Sequence, residues 1–166
     1  MDNFFLVMVR KAIADDFAFM ESLYFHPAIN PFLLYEMDEK PHFQTFFDGL
    51  LSNDVLYIFE VEGQKAGMFK LIPLAHRTTH IAYLGGVAMH TDFAGRGLGK
   101  QMMREIINLG KQQGLLRIEL STATINEKAI HLYKSVGFEK EGVLRRYTHL
   151  KSENRFLDEV LMSYLM

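Results

Sequence analysis

Six consecutive residues, Gly95-Arg96-Gly97-Leu98-Gly99-Lys100, carry the clearest chemical signal in the chain. They follow a strand-like stretch and open a helix-like one. At such a junction, unpaired backbone N–H groups and the positive end of the helix dipole make an anion site. Glycine there permits positive φ and lets the backbone approach a phosphate closely. A tight turn without a ligand needs one glycine, and here there are three. Two nucleotide patterns fail on this run. A Walker A loop requires Gly-x-x-x-x-Gly-Lys-Ser/Thr, but Ala94 stands at the leading glycine's place and Gln101 follows Lys100. A dinucleotide fingerprint requires Gly-x-Gly-x-x-Gly; its last place falls on Lys100 or Met102.

Other reactive types lie downstream. Tyr133 shares a helical face with Ala129 and Ile130, which by spacing alone makes it a core tyrosine. Asn126 can cap that helix. His76 and His80 are four apart but fall in a loop-to-strand region, so no metal site is expected. The chain has no cysteine, which excludes disulfides, thiolate metal sites and a cysteine nucleophile.

The elements that position these residues follow from periodicity. Strands are expected over 4–10, 54–60, 66–72, 80–89, 116–122, 138–146 and 156–165, with Gly63 turning a hairpin and Gly85-Gly86 marking a bulge. Phe17, Met20 and Tyr24 predict a helix over 14–25, and a second covers 32–51 with a break at Pro41. Leu98, Met102, Ile106 and Leu109 share one face of a third helix that ends at Gly114; Gly137 stops the fourth. This order gives an α/β (α+β) domain with a mixed sheet, because the hairpins argue against a doubly wound parallel sheet.

The whole 166-residue chain reads as a single domain, 1–166. Its net charge of −2 provides no global field for nucleic acid. No apolar run approaches the ~18 residues of a membrane helix. The apolar N-terminal run lacks a basic region and a cleavage site, so it reads as a buried strand of a soluble, cytoplasmic protein.

With the elements placed, the run from Val87 to Lys100 resembles the signature of the GNAT family of N-acetyltransferases, Gln/Arg-x-x-Gly-x-Gly/Ala after a strand. Gly97 and Gly99 match its last two positions, while Ala94 replaces the first. Asn126-Glu127-Lys128-Ala129-Ile130-His131-Leu132-Tyr133-Lys134-Ser135-Val136-Gly137-Phe138 resembles a second family segment in the expected order and separation. The tail from Glu141 to Met162 is similar to the branch of small-molecule, polyamine and ribosomal-protein acetyltransferases.

The resemblance implies a mostly antiparallel sheet of about seven strands flanked by about four helices. It implies acetyl-CoA as acetyl donor, no metal, and direct attack by a primary amine of a small molecule or peptide in a ternary complex. Nucleic acid and membrane partners are not implied, and room is left for a homodimer. Backbone groups of Val87, Ala88 and Met89 would pair with the pantetheine arm, while Gly95, Arg96, Gly97, Leu98, Gly99 and Lys100 hold the pyrophosphate. Tyr133 would protonate or hydrogen-bond the departing thiolate. Asn126 reads equally as a contact to the cofactor arm or as a helix cap. Lys128 or Lys134 would meet the 3′-phosphate or simply face water. Ser121 stands where some relatives carry a glutamate base, leaving Glu119 as the nearby candidate. Tyr24, Phe25, Asn30, Tyr35, Glu36 and Tyr147 are expected around the acceptor, and Glu36, Asp38 and Glu39 hint that it is cationic. A non-catalytic acyl-CoA-binding module on the same fold remains the alternative.

Overall fold

The computed structural model describes residues 4–166. The chain runs through β1 (Val7–Lys11), α1 (Phe17–Tyr24), α2 (Phe43–Ser52), β2 (Leu56–Val61), β3 (Gln64–Pro73) and β4 (Ile81–Met89). It continues through α3 (Leu98–Gln112), β5 (Arg117–Ala123), α4 (Glu127–Ser135), β6 (Glu139–Leu150) and β7 (Arg155–Leu165). The seven strands form one sheet in the order β1-β2-β3-β4-β5-β7-β6. All neighbours are antiparallel except β4 and β5.

Strand alternation divides the apolar residues between two cores. On one face, Phe59, Phe69, Leu84, Ile118 and Leu120 meet Leu98, Met102 and Ile106 of α3 and Tyr133 of α4. On the other, Ile58, Met68 and Ala88 meet Met20, Leu23 and Tyr24 of α1 and Phe43 and Phe47 of α2. Burying Phe43 and Phe47 side chains contributes roughly 1.5–3 kcal/mol each.

The expected elements form, with corrected ends. The run expected over 4–10 pairs only from Val7, and β1 is an exposed sheet edge rather than a buried strand: Val7 and Val9 pack inward while Met8 faces out. The expected reading of the extreme N-terminus concerns in part residues 1–3, which lie outside the described residues. The helix expected over 14–25 begins as a 3₁₀ turn, Ala14–Asp16, before α1. That expected over 32–51 resolves into 3₁₀ turns at Asn30–Phe32 and Met37–His42, and α2. Pro41 removes a donor N–H, so regular helix starts only at Phe43. Among the described residues, no helix is long and apolar enough to cross a membrane.

A buried carboxylate ties α1 to the sheet edge. Asp16 is fully buried; Arg10 of β1 reaches it through Nη1 at 2.8 Å and Nη2 at 3.0 Å. Lys65 Nζ lies 2.8 Å from Oδ1, which Arg10 Nη2 also reaches, and the Ile13 N–H donates to Oδ2 at 2.8 Å. Burial pushes the Asp16 pKa up, but these donors outweigh it and hold the carboxyl well below its ordinary value.

Candidate functional site

The sheet is split in its middle. β4 and β5 pair in parallel only at Ile81–Arg117, Ala82–Ile118 and Tyr83–Glu119. Beyond Tyr83, β5 stays with β7 down to Ala123–Glu159, so one edge of β4 from Leu84 to Met89 is left without a strand partner. Unpaired strand N–H and C=O groups are a template for an extended ligand.

A bulge sits at the apex. Gly86 has φ +58°, and a Cβ there would lie 3.0 Å from both Lys70 Cε and Tyr24 Oη. The bulge shifts the strand's alternation: Ala82 and Leu84 face α3, and past the bulge Val87 and Met89 do so while Ala88 faces α1 and α2.

The gap opens into a cavity of about 760 Å³ that also contacts the start of α3 and one side of α4. The glycine turn lies at its mouth. Gly97 caps α3 with φ +72° and Gly95 has φ +75°, a region that L side chains rarely adopt. A Cβ on either would meet nothing within 4 Å, so backbone conformation rather than crowding calls for glycine there. Gly99 differs: its missing side chain lets Leu132 of α4 approach α3. The first helical N–H groups have no intrahelical acceptor and stand free for an anion.

The expected cofactor residues mostly converge on this cavity. Val87, Ala88, Met89, Gly95, Gly97, Leu98, Gly99, Lys100 and Asn126 line it, as do Ala94 and Lys128. Arg96 does not; its guanidinium donates to the Asp92 carbonyl at 3.1 Å and stacks on Phe93 at 5.8 Å. Asn126 accepts from the Ala129 N–H at 3.4 Å and donates to Thr122 Oγ1 at 3.3 Å, so it caps α4 while also facing the cavity.

Tyr133 lines the cavity from α4 and is 8% exposed, with its ring 6.1 Å from Phe138. Burial pushes its phenol up to about 12, helped by Tyr83 and Glu159 nearby. It is both a core tyrosine and a lining residue of the cavity.

The expected acceptor residues divide. Tyr24 and Tyr35 line the cavity. Phe25 packs instead on Phe43 at 5.1 Å. Asn30 ties the loop down, donating to the Tyr24 and Tyr35 carbonyls at 2.7 and 3.0 Å. Glu36, Asp38 and Glu39 lie on the outer turn and none lines the cavity, because the 3₁₀ turn at Met37–His42 carries them outward. Tyr147 is 54% exposed, yet near enough to Tyr83 to raise its pKa slightly. Glu119 does not line the cavity; Arg117 Nε donates to it at 3.0 Å and Arg117 also clamps Glu141 at 2.6 Å.

A different carboxylate sits behind the split. Glu159 of β7 is 3% exposed and accepts from Thr148 Oγ1 at 2.7 Å. β6 bulges between Leu144 and Thr148, with Arg146 at φ +51°, which turns Thr148 toward it. Burial raises the Glu159 pKa, opposed by the hydroxyls of Thr148 and Ser121. Ser121 Oγ lies 3.2 Å from Tyr83 Oη, and both residues line the cavity. The sequence pattern missed Glu159, which stands beside a second acid, Asp158, in β7 and so carries no signal of its own burial.

The comparisons agree with this geometry. The acetyltransferase (GNAT) family model matches residues 17–138, and the chain belongs to that family. An uncharacterized N-acetyltransferase of Methanocaldococcus jannaschii is 26% identical over 86% of the chain, and the match covers 65% of that relative. The N-alpha-acetyltransferase RimI of Mycobacterium tuberculosis is 33% identical over 42% of the chain, covering 42% of that relative. The chain thus spans less than two-thirds of these relatives' lengths. Among solved structures, a GNAT-family acetyltransferase of Streptococcus pneumoniae superposes with a TM-score of 0.77 at 25% identity, covering 97% of this chain and 100% of that one. A spermidine N-acetyltransferase of Vibrio cholerae, in complex with CoA and spermine, gives 0.84 at 20% identity, covering 96% and 95%.

Proposed function

We propose that this protein transfers an acetyl group from acetyl-CoA to a primary amine by direct attack within a ternary complex. The observation that carries this reading is the β4–β5 split, which opens into a cavity lined by both the glycine turn and Tyr133. Acetyl-CoA supplies an activated thioester. The N–H groups that open α3, with Lys100, hold its pyrophosphate, and Lys128 faces the same mouth. The unpaired edge of Val87, Ala88 and Met89 takes the amide-bearing arm as an extra strand.

Tyr133 serves the leaving group. A phenol near 12 is a weaker acid than a thiol near ~8.5. Its task is therefore to stabilise the departing thiolate by a hydrogen bond, and the thiolate takes its proton from solvent after it leaves. The amine's proton leaves along Tyr83 and Ser121 toward Glu159, whose burial raises its affinity for a proton. Glu159 acts through those hydroxyls, which explains how the site functions with Ser121 at the glutamate position and with Glu119 held by Arg117.

This reading places the enzyme with acetyl-CoA in the cytoplasm, and a homodimer forms part of the same proposal, read by sedimentation. The deciding experiment is free-thiol release from acetyl-CoA across amino acids, polyamines, aminoglycosides and peptides. Turnover with one class supports the reading. Tight acetyl-CoA binding without thiol release from any amine overturns catalysis and leaves a binding module.

A further inference from the structure

The acceptor half of the cavity carries an unusual charge pattern. Tyr24, Tyr35, Phe46, Lys70, Tyr83 and Ser121 line it, on the sheet face opposite α3. Among the described residues, no Asp or Glu lines the cavity. The cations at the opposite, glycine-turn end, Lys100 and Lys128, sit where phosphates belong. Lys70 is the charged side chain of the acceptor end.

Lys70 is poorly compensated. Its Nζ lies 5.3 Å from the Phe46 ring centroid, a contact with the negative face of the ring. Its Cε packs against the bulge, next to where a Gly86 Cβ would stand and beside Tyr24 Oη. No ion pair joins Lys70 to a carboxylate among the described residues. Burial lowers its pKa, so the ammonium there is short of solvation. Lys70 is half-buried, and a partly desolvated charge without a partner carries a cost that an incoming anion relieves.

Building on the acetyltransferase reading, we propose that Lys70 is an anion subsite, and that the acceptor is an amine carrying its own carboxylate and an apolar or aromatic remainder. The carboxylate pairs with the Lys70 ammonium beside the bulge, which holds the α-amine close to the thioester. The rings of Tyr24, Tyr35 and Phe46 receive the remainder. A polyamine is disfavoured, because its further ammonium groups would find a lysine and no carboxylate.

The test compares thiol release with L-phenylalanine, L-leucine, their amides, the decarboxylated amine phenethylamine, and spermidine. The expected result is kcat/KM at least tenfold higher for the carboxylate-bearing amines. Lys70→Met removes that preference and raises KM for the amino acids, while Lys70→Arg keeps part of it. Equal rates with and without the carboxylate, a preference for spermidine, or an unchanged preference in Lys70→Met overturns the subsite although transfer itself stands. Product binding reads the subsite separately from turnover. With CoA present, N-acetylphenylalanine raises the melting temperature more than its amide, and Lys70→Met abolishes the difference. No difference in the wild-type protein overturns the subsite, whether or not any amine is acetylated.

Discussion

Tyr133 and Glu159 place opposite demands on the same low-dielectric space. In the proposed mechanism the phenol stays protonated throughout, in keeping with the burial that pushes its pKa to about 12. The proposed relay has the carboxylate take a proton, and burial raises its affinity for one. Tyr133→Phe removes the thiolate's hydrogen bond while keeping the ring against Phe138. It is expected to lower kcat by about 10²-fold or more with acetyl-CoA affinity unchanged, measured by steady-state kinetics and titration. Unaltered turnover would remove Tyr133 from the mechanism. Glu159→Gln keeps the Thr148 contact but cannot accept a proton. In the wild type, log kcat/KM steepens as pH falls through the raised Glu159 pKa, because both the amine and the carboxylate are being protonated. The Gln variant should retain the single slope due to the amine alone. A wild-type profile without that steepening would contradict the relay.

At the scale of elements, the site depends on strands that part and on helices that stay where they are put. The parting is held on one side by the full β5–β7 pairing and on the other by β3, which keeps β4 in place through the bulge. The opposite end of the sheet is anchored by Asp16 under Arg10 and Lys65. Asp16→Asn leaves these cations with a neutral partner and is expected to cost about 3 kcal/mol. The pH dependence has a definite sign. The folded-state carboxyl is held below its ordinary value, so its stabilisation is complete above the unfolded value of ~3.9. It is lost as pH falls below that toward the folded value. Urea midpoints should therefore fall from pH 5 to pH 2 in the wild type, and less steeply in Asp16→Asn. Parallel curves would mean that Asp16 contributes nothing to acid stability.

At the scale of the molecule, local features were legible and non-local ones were not. Glycine at Gly97, the cap at Asn126 and the α3 face through Met102 and Ile106 are short-range signals, and each forms as expected. The split itself has no local signature, since it shows only in which residues of β5 pair with β4 and which pair with β7 alone, from Arg117–Leu165 to Ala123–Glu159. Glu159 is buried by a bulge in another strand, and Lys70 loses its solvent to α2 and the Gly86 bulge; neither is visible in its own neighbourhood of sequence. Glu36, Asp38 and Glu39 misled for the converse reason, because an acidic cluster reveals nothing about which way its turn faces.

Coenzyme A is the ligand proposed for the split and the glycine turn together. The most direct test is the melting temperature with saturating acetyl-CoA, in the wild type and in Gly97→Val, where a β-branched side chain cannot readily adopt φ +72°. A ligand at about 100 times its dissociation constant stabilises the fold by about 2.7 kcal/mol. For a domain of this size that corresponds to a rise of roughly 5–10 °C. The wild type should show this rise and Gly97→Val should lose most of it, while remaining folded without ligand. No shift in the wild type at millimolar acetyl-CoA would contradict the account.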